Sequence, residues 1–383
     1  MVPLVEGTTA YGLRLNAFLA ALAPRAESLL STSDVEPYLL VDLLALADEP
    51  TRRLWEGLAL GYAAPGGHRL LREEVASLYP GVEAEHVVVC AGADEALFLL
   101  LNAMLGPGDH AIALYPAYEP LYELAAATGA QVTCVSLDPD GWTLDIDAVR
   151  AQLRPNTRAL VVNFPHNPTG ALPPRGTLDA LSALAAEAGA HLVSDEVYRL
   201  LEYDPAQRLP AAVEYGGGAV SIGVMSKAFG LAGLRIGWLA TRDRSLLARV
   251  AAARDSIAAG NSAPSEILAL IALRARERVL EQSRALLRRN VALVDCFLAE
   301  HGELFDWVRP RAGCVGFPRL RAGSADDLAA RLLEHERVLV VPGSIYGVGD
   351  GYFRLGFGRA DLSDALARFD RFAAGALLAG SPT

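Results

Sequence analysis

The pattern of apolar and polar positions changes texture near residue 87. Before that point the spacing is helical. Residues 11–30 carry Leu and Ala as an amphipathic helix, 31–38 break it, and 39–47 and 51–60 read as short helices. Residues 61–67 form a Gly/Pro loop, and 68–78 resume helical spacing. The break has a chemical cause: Pro37 cannot continue a helix, and Asp34 is able to cap the next one. From residue 87 apolar, β-branched runs alternate with Ala/Leu helices. Strands are expected at 87–91, 110–114, 131–136, 158–163 and 191–195, with helices at 94–105, 117–128, 145–153 and 175–188. Two further strand-like runs, 219–224 and 234–240, flank a Gly-rich turn. Strands apolar on both faces and separated by helices argue for an α/β fold with a mostly parallel sheet covered by helices. Long helices are expected at 243–258, 264–276 and 278–300. The last stretch mixes short strands at 314–317, 338–341 and 352–357 with helices at 324–334 and 362–375, which reads as a smaller α+β domain.

A length of 383 residues fits two domains or one large domain with an appendage. With 52% hydrophobic residues there is ample material for a core, yet no window reaches the ~18 uninterrupted apolar residues of a membrane span. The opening Met1-Val2-Pro3-Leu4-Val5-Glu6-Gly7 lacks a basic segment followed by an apolar one, so no secretory signal is expected. Cys90, Cys134, Cys296 and Cys314 lie far apart without CxxC spacing and read as reduced core thiols of a cytoplasmic protein. They suggest neither a disulfide frame nor a zinc site. The net charge of −11 argues against a general nucleic-acid binder.

The candidate chemistry sits at strand ends, where open α/β sheets bind ligands. Lys227 falls in the Gly-rich turn between the 219–224 and 234–240 runs. A lysine desolvated there is more easily freed as a neutral amine nucleophile, although a lysine taken at random is a solvated loop residue. After the first strand, Gly92-Ala93-Asp94-Glu95-Ala96 begins a helix, whose free N–H groups make a natural phosphate site; Asp94 equally suits a plain cap. Tyr118, in Tyr115-Pro116-Ala117-Tyr118, either stacks on a flat ring or fills the core. Asn163-Phe164-Pro165-His166-Asn167-Pro168-Thr169-Gly170 is a rigid, Pro-fixed turn that presents Asn167. Asp195 ends an apolar strand, where an unpaired carboxylate is costly, so a cation is expected to meet it. Its neighbour Glu196 suits the surface.

Taken in order, Gly92-Ala93-Asp94-Glu95-Ala96, Pro116-Ala117-Tyr118, Asn167-Pro168-Thr169-Gly170, Asp195-Glu196-Val197-Tyr198, Ser226-Lys227 and Gly233-Leu234-Arg235-Ile236-Gly237-Trp238, with a late Arg354, resemble the fold type I pyridoxal-phosphate aminotransferases of class I/II. The resemblance covers nearly the whole chain. It implies an aspartate aminotransferase-like fold, with residues 1–45 joining a small domain, 46–290 forming the large cofactor-binding domain, and 291–383 the small C-terminal domain. It implies that Lys227 forms a Schiff base with pyridoxal 5′-phosphate and moves the substrate's α-proton. Asp195 then pairs with the ring nitrogen, and Tyr198 and Asn167 hydrogen-bond the ring's 3′ oxygen. Tyr118 stacks on the ring. Ser226, Arg235 and the backbone of Ala93 and Asp94 hold the phosphate. Tyr62 reaches the neighbouring subunit's phosphate, so the active unit is a homodimer. Arg354 clamps the substrate's α-carboxylate; apart from the resemblance it reads as a surface arginine on an edge strand.

Three features depart from the common pattern. The segment 31–38 replaces the usual glycine-rich N-terminal stretch; its polar residues either face the substrate or, through Asp34, cap a helix, and the cap is the stronger expectation. With His166 and the 311–319 segment it resembles the capreomycidine synthase-like subgroup, which cyclises a hydroxyarginine on the same cofactor. The Gly92–Ala96 turn is also similar to histidinol-phosphate aminotransferases. The 258–264 segment, which supplies an arginine in dicarboxylate-specific relatives, offers only small residues and Asn261; Arg254 nearby reads as a solvated or interface charge. The leading expectation is an aminotransferase moving an amino group between an amino acid and a 2-oxo acid. A lyase or cyclase of specialised amino-acid metabolism is the alternative, and a non-catalytic aminotransferase-like regulatory module a further one. No metal, nucleic acid or membrane partner is expected.

Overall fold

The computed structural model describes residues 13–379. The segment Met1–Gly7 and the start of the expected 11–30 helix lie outside the described residues. Seven strands form the central sheet: β1 (Val87–Cys90), β2 (His110–Tyr115), β3 (Gln131–Ser136), β4 (Thr157–Asn163), β5 (His191–Asp195), β6 (Val220–Val224) and β7 (Gly237–Thr241). Their spatial order is β1-β7-β6-β5-β4-β2-β3. Only β7 is reversed, antiparallel to both β1 and β6, so the other strands point their C-terminal ends the same way. Side chains alternate between two cores. Val87 and Val89 pack into one, with Trp238 and Ala240, while Val88 and Cys90 enter the other, with Leu97 and Leu239. Both faces of β1, β6 and β7 are therefore buried. The edge strand β3, which carries Gln131, Thr133 and Ser136, stays largely open to solvent.

Helix starts follow their caps. Asp243 accepts from the Leu246 N–H at 2.9 Å to open helix Arg244–Asp255, and Ser262 caps Ala263–Arg274. The expected 11–30 helix instead stops at Leu22, where Pro24 enters a 3₁₀ turn over Ala23–Arg25. Ser28–Leu29 then pairs in parallel with Val338–Leu339. The expected 234–240 strand starts later, at Gly237, because Ala232–Leu234 forms a 3₁₀ turn that ends on Arg235 with φ 52°. Two of the four cysteines also depart from expectation. Cys90 and Cys314 are buried thiols, but Cys134 and Cys296 are exposed, Cys134 because it sits on the open edge strand; all four are free.

In the C-terminal part, Phe353–Gly356 is the middle strand of a three-stranded antiparallel sheet between Val315–Gly316 and Val341–Pro342. The N-terminal segment runs beside it. Gly356 N–H donates to the Leu30 carbonyl at 2.6 Å, and Glu36 N–H to the Gly358 carbonyl at 2.8 Å. The approach is so close that a Cβ at Gly358 would overlap the Asp34 carbonyl. Among the described residues no helix is long and apolar enough to cross a membrane.

Candidate active site

A cavity of about 250 Å³ opens beyond the C-terminal ends of the parallel strands. Its wall gathers Ala93, Asp94, Tyr118, Asn167, Asp195, Ser226, Lys227, Arg235 and Arg354. Ala93, Asp94, Tyr118, Asn167, Asp195, Ser226 and Lys227 converge because β1, β2, β4, β5 and β6 end on the same side; Arg235 precedes the reversed β7, and Arg354 comes from the C-terminal part of the chain. Tyr198 lies just off this wall, under Lys227, whose Nζ is 5.9 Å from the Tyr198 ring centre. Tyr62 is 93% exposed and outside the cavity.

One end of the cavity is built for an anion. Gly92 precedes helix Ala93–Met104 with φ 101° and no side-chain cap, so the first N–H groups of the helix are left open. The positive φ favours glycine, and a Cβ there would lie 2.5 Å from Arg235 Nη2. The guanidinium thus rests against the helix start. Ser226 Oγ, buried and without a hydrogen-bond partner, joins the same wall. Asp94 is turned aside, accepting a hydrogen bond from the Tyr118 hydroxyl at 3.1 Å.

The middle of the cavity holds an acid and an amine. Asp195 is 6% exposed, and among the described residues it makes no ion pair. Its Oδ1 accepts from the Val197 N–H at 3.1 Å. Burial pushes its carboxyl up to about 7; Asp94 and Glu196 add to the rise, while the Val197 bond and Lys227 oppose it. Lys227 donates from Nζ to Ser33 Oγ at 2.9 Å. Desolvation, helped by Arg354, lowers its pKa, with Cys314, Asp34 and Asp94 opposing. The Tyr198 hydroxyl donates to the Ser33 carbonyl at 2.9 Å.

The other end is set by Arg354, 1% exposed. Its Nη1 donates to Tyr346 Oη at 2.5 Å and Asn167 Oδ1 at 3.3 Å, and its Nη2 to the Ser31 carbonyl at 2.6 Å. Nε keeps no partner. Since Arg354 takes the Asn167 oxygen, the amide's NH₂ is the half left for the cavity. Asn167 is fixed in turn, its N–H donating to Asn163 Oδ1 at 2.7 Å, while Asn163 Nδ2 donates to the Asp195 carbonyl at 2.9 Å. His166 is fully buried, bonded through Nδ1 to Thr169 Oγ1 at 2.8 Å, and burial lowers its pKa to about 4, so it braces the turn as a neutral ring.

Three expectations are corrected. Glu196 is buried, not superficial: its Oε1 accepts from Ala212 N–H at 2.7 Å and Ser221 Oγ at 2.8 Å, and burial raises its carboxyl to about 7. Arg254 is not solvated; it is 1% exposed and donates to Asn261 Oδ1 at 2.6 Å. Asp34 caps no helix. The next helix begins after Leu39 with no side-chain cap. Asp34 instead accepts from Arg359 Nη2 at 3.0 Å on each oxygen and lines the cavity, together with Leu15, Asn16, Leu19 and Ser33. Of these, only the polar run at 31–38 carried a signal in the sequence.

Pyridoxal phosphate fits these groups. The buried, unpaired Asp195 calls for a cationic ring nitrogen, and the partnerless Ser226 hydroxyl beside Arg235 and the open helix start calls for a phosphate. Comparison with known proteins agrees. Residues 45–369 match the family "Aminotransferase class I and II". Capreomycidine synthase of Streptomyces vinaceus is 35% identical over 357 residues, 90% of this chain and 89% of that protein. Arginine–pyruvate transaminase of Pseudomonas aeruginosa is 33% identical over 319 residues, 80% of this chain and 81% of that protein. A single mutant of Thermus thermophilus aspartate aminotransferase shares the fold with a TM-score of 0.83 and 29% identity, over 96% of this chain and 97% of that one. The chain belongs to the class I and II aminotransferases, and pyridoxal 5′-phosphate is its cofactor.

Proposed function

We propose that the enzyme exchanges an amino group between an amino acid and a 2-oxo acid through Lys227, as a cytoplasmic homodimer. The observation that carries the reading is the Lys227 amine, its pKa lowered by desolvation, in one cavity with Asp195 and Arg354. When bound, pyridoxal phosphate supplies an electrophilic carbonyl and an electron sink for the substrate's α-carbon. Ser226, Arg235 and the N–H groups of Ala93 and Asp94 hold the phosphate. Asp195 keeps the ring nitrogen protonated, Tyr118 covers the ring face, and Asn167 serves the 3′ oxygen, joined by the Tyr198 hydroxyl once it turns from the Ser33 carbonyl. Arg354 orients the substrate by its α-carboxylate. Lys227, as a neutral amine, takes the α-proton and returns it.

Residues 46–290 form the large domain in this reading, and 291–383 the small one. The pairing of Ser28–Leu29 with Val338–Leu339 supports assigning residues 1–45 to the small domain. The exposure of Tyr62 away from its own cavity supports a role in a partner's site, and with it the dimer. Free cysteines throughout the described residues support a reducing compartment.

The test is spectral. Enzyme loaded with the cofactor should show an absorption band at the edge of the visible that fades with the amino donor and returns with a 2-oxo acid. A band indifferent to every amino acid would refute the reading. A second reading, a lyase or cyclase of specialised amino-acid metabolism, is favoured by the 35% identity to capreomycidine synthase. In its cyclase form it predicts a product that keeps the substrate's amino nitrogen and no 2-oxo acid.

A further inference from the structure

We propose that Asp34 selects the side chain of the amino-acid substrate and that this side chain ends in a cation, a guanidinium or an ammonium group. The proposal rests on the roles given above to Lys227 and Arg354. Three carboxylates line the cavity: Asp34, Asp94 and Asp195. Asp94 accepts from Tyr118 beside the anion-binding helix start, and Asp195 closes the end of β5. Among the described residues, only Asp34 is left for the wall around the substrate. Its neighbour Ser33 accepts from the Lys227 amine at 2.9 Å, and Ser31 accepts from Arg354 at 2.6 Å. An amino acid held by its carboxylate at Arg354, with its α-carbon at Lys227, presents its side chain to what remains of that wall. Among the described residues, what remains includes the apolar Leu15 and Leu19, suited to a methylene stem, and two polar groups, Asn16 and Asp34.

Asp34 is prepared for a charged partner. Arg359 Nη2 holds both of its oxygens at 3.0 Å, and Arg359 Nη1 donates to the Val35 carbonyl at 3.3 Å, which fixes the carboxylate's rotamer. An ionised carboxylate offers about four acceptor sites. The single nitrogen of Arg359 uses one on each oxygen and leaves one on each. A guanidinium or ammonium group satisfies these with charge-assisted bonds, whereas a neutral side chain desolvates them without return. A side-chain carboxylate fares worse. Arg359 is committed to Asp34 and lies off the cavity wall, so among the described residues no guanidinium awaits a second carboxylate there.

The experiment compares L-arginine with L-citrulline, which has nearly the same shape without the charge, as amino donors to the holoenzyme. Wild type should favour arginine by at least tenfold in kcat/KM, and aspartate should be poor. In Asp34→Asn the arginine-to-citrulline ratio should fall toward one; a merely structural role would lower both rates together and leave the ratio intact. Calorimetry on cofactor-loaded Lys227→Ala should show the same preference in binding, lost in the Asp34→Asn double variant. If Asp34→Asn does not fold by circular dichroism, lysine against norleucine on wild type decides, and equal rates overturn the proposal. Turnover without preference for the cation overturns the Asp34 assignment and leaves the catalytic reading standing. Failure of every amino acid to react overturns both.

Discussion

Replacing Asp195 with asparagine keeps the shape of the strand end and removes one buried charge. In the cofactor-free protein that charge is a liability. Burial lifts the carboxyl from its ordinary 3.8 to about 7. At 1.36 kcal/mol per tenfold change in proton affinity, this gap corresponds to about 4 kcal/mol. The sign follows from proton counting. Between about pH 4 and pH 7 the folded protein holds a proton that the unfolded chain has released, so stability falls as pH rises through that window. Below it both states are protonated and the penalty vanishes; above it both are ionised and the penalty is complete. Cofactor-free Asp195→Asn should therefore lose much of this slope and be more stable than wild type above pH 7. Glu196, also raised to about 7, keeps a slope of its own, so the difference between the two proteins is the measurement. With cofactor bound the comparison should invert, because the cationic ring nitrogen turns the carboxylate from a cost into a partner, and kcat should fall by orders of magnitude. Urea titrations of both cofactor-free proteins from pH 4 to 8, with kcat of both loaded enzymes, test the pair of effects. Parallel stability profiles, or a wild-type kcat in the variant, would refute the account of Asp195.

Lys227→Ala should abolish turnover and leave no adduct that borohydride can fix to the chain, read by mass spectrometry. Arg354→Lys keeps a charge but loses the planar fork, so kcat/KM should drop tenfold or more, and alike for every amino acid, since charge-assisted hydrogen bonds contribute about 1.5–3 kcal/mol; steady-state kinetics across a panel checks the uniformity. Inactive Lys227→Ala chains mixed with a crippled Tyr62 variant should regain activity through one intact hybrid site, and a fully active monomer in sedimentation would rule that out.

The central sheet was legible because two-sided burial writes itself into the sequence as unbroken apolar runs. Val87–Cys90, Val220–Val224 and Gly237–Thr241 are buried at every position, and the helix that follows the last of them starts at a visible cap, Asp243. The N-terminal region hid its structure in Ala/Leu composition, where a single Pro24 decides between helix and turn. Two-residue strands have no pattern of their own; Ser28–Leu29 is a strand only because Val338–Leu339, some 310 positions away, offers it a ladder.

The same distinction separates the cavity residues that the sequence brings forward from the charges whose placement it misses. Lys227, Asp195 and Asn167 occupy strand ends inside local strings whose geometry is set within a few residues. Glu196, Arg254 and Asp34 are charges whose place depends on what meets them. Glu196 is buried because Ser221 and the Ala212 N–H receive it, and Arg254 because Asn261 does. Asp34 is held by Arg359 across 325 positions. A buried charge is stable only where a partner offsets its lost hydration, and a linear pattern shows the charge without the partner. The residues proposed to position the reaction are thus readable from local strings, while the residue proposed to choose the substrate depends on a contact that only the folded chain creates.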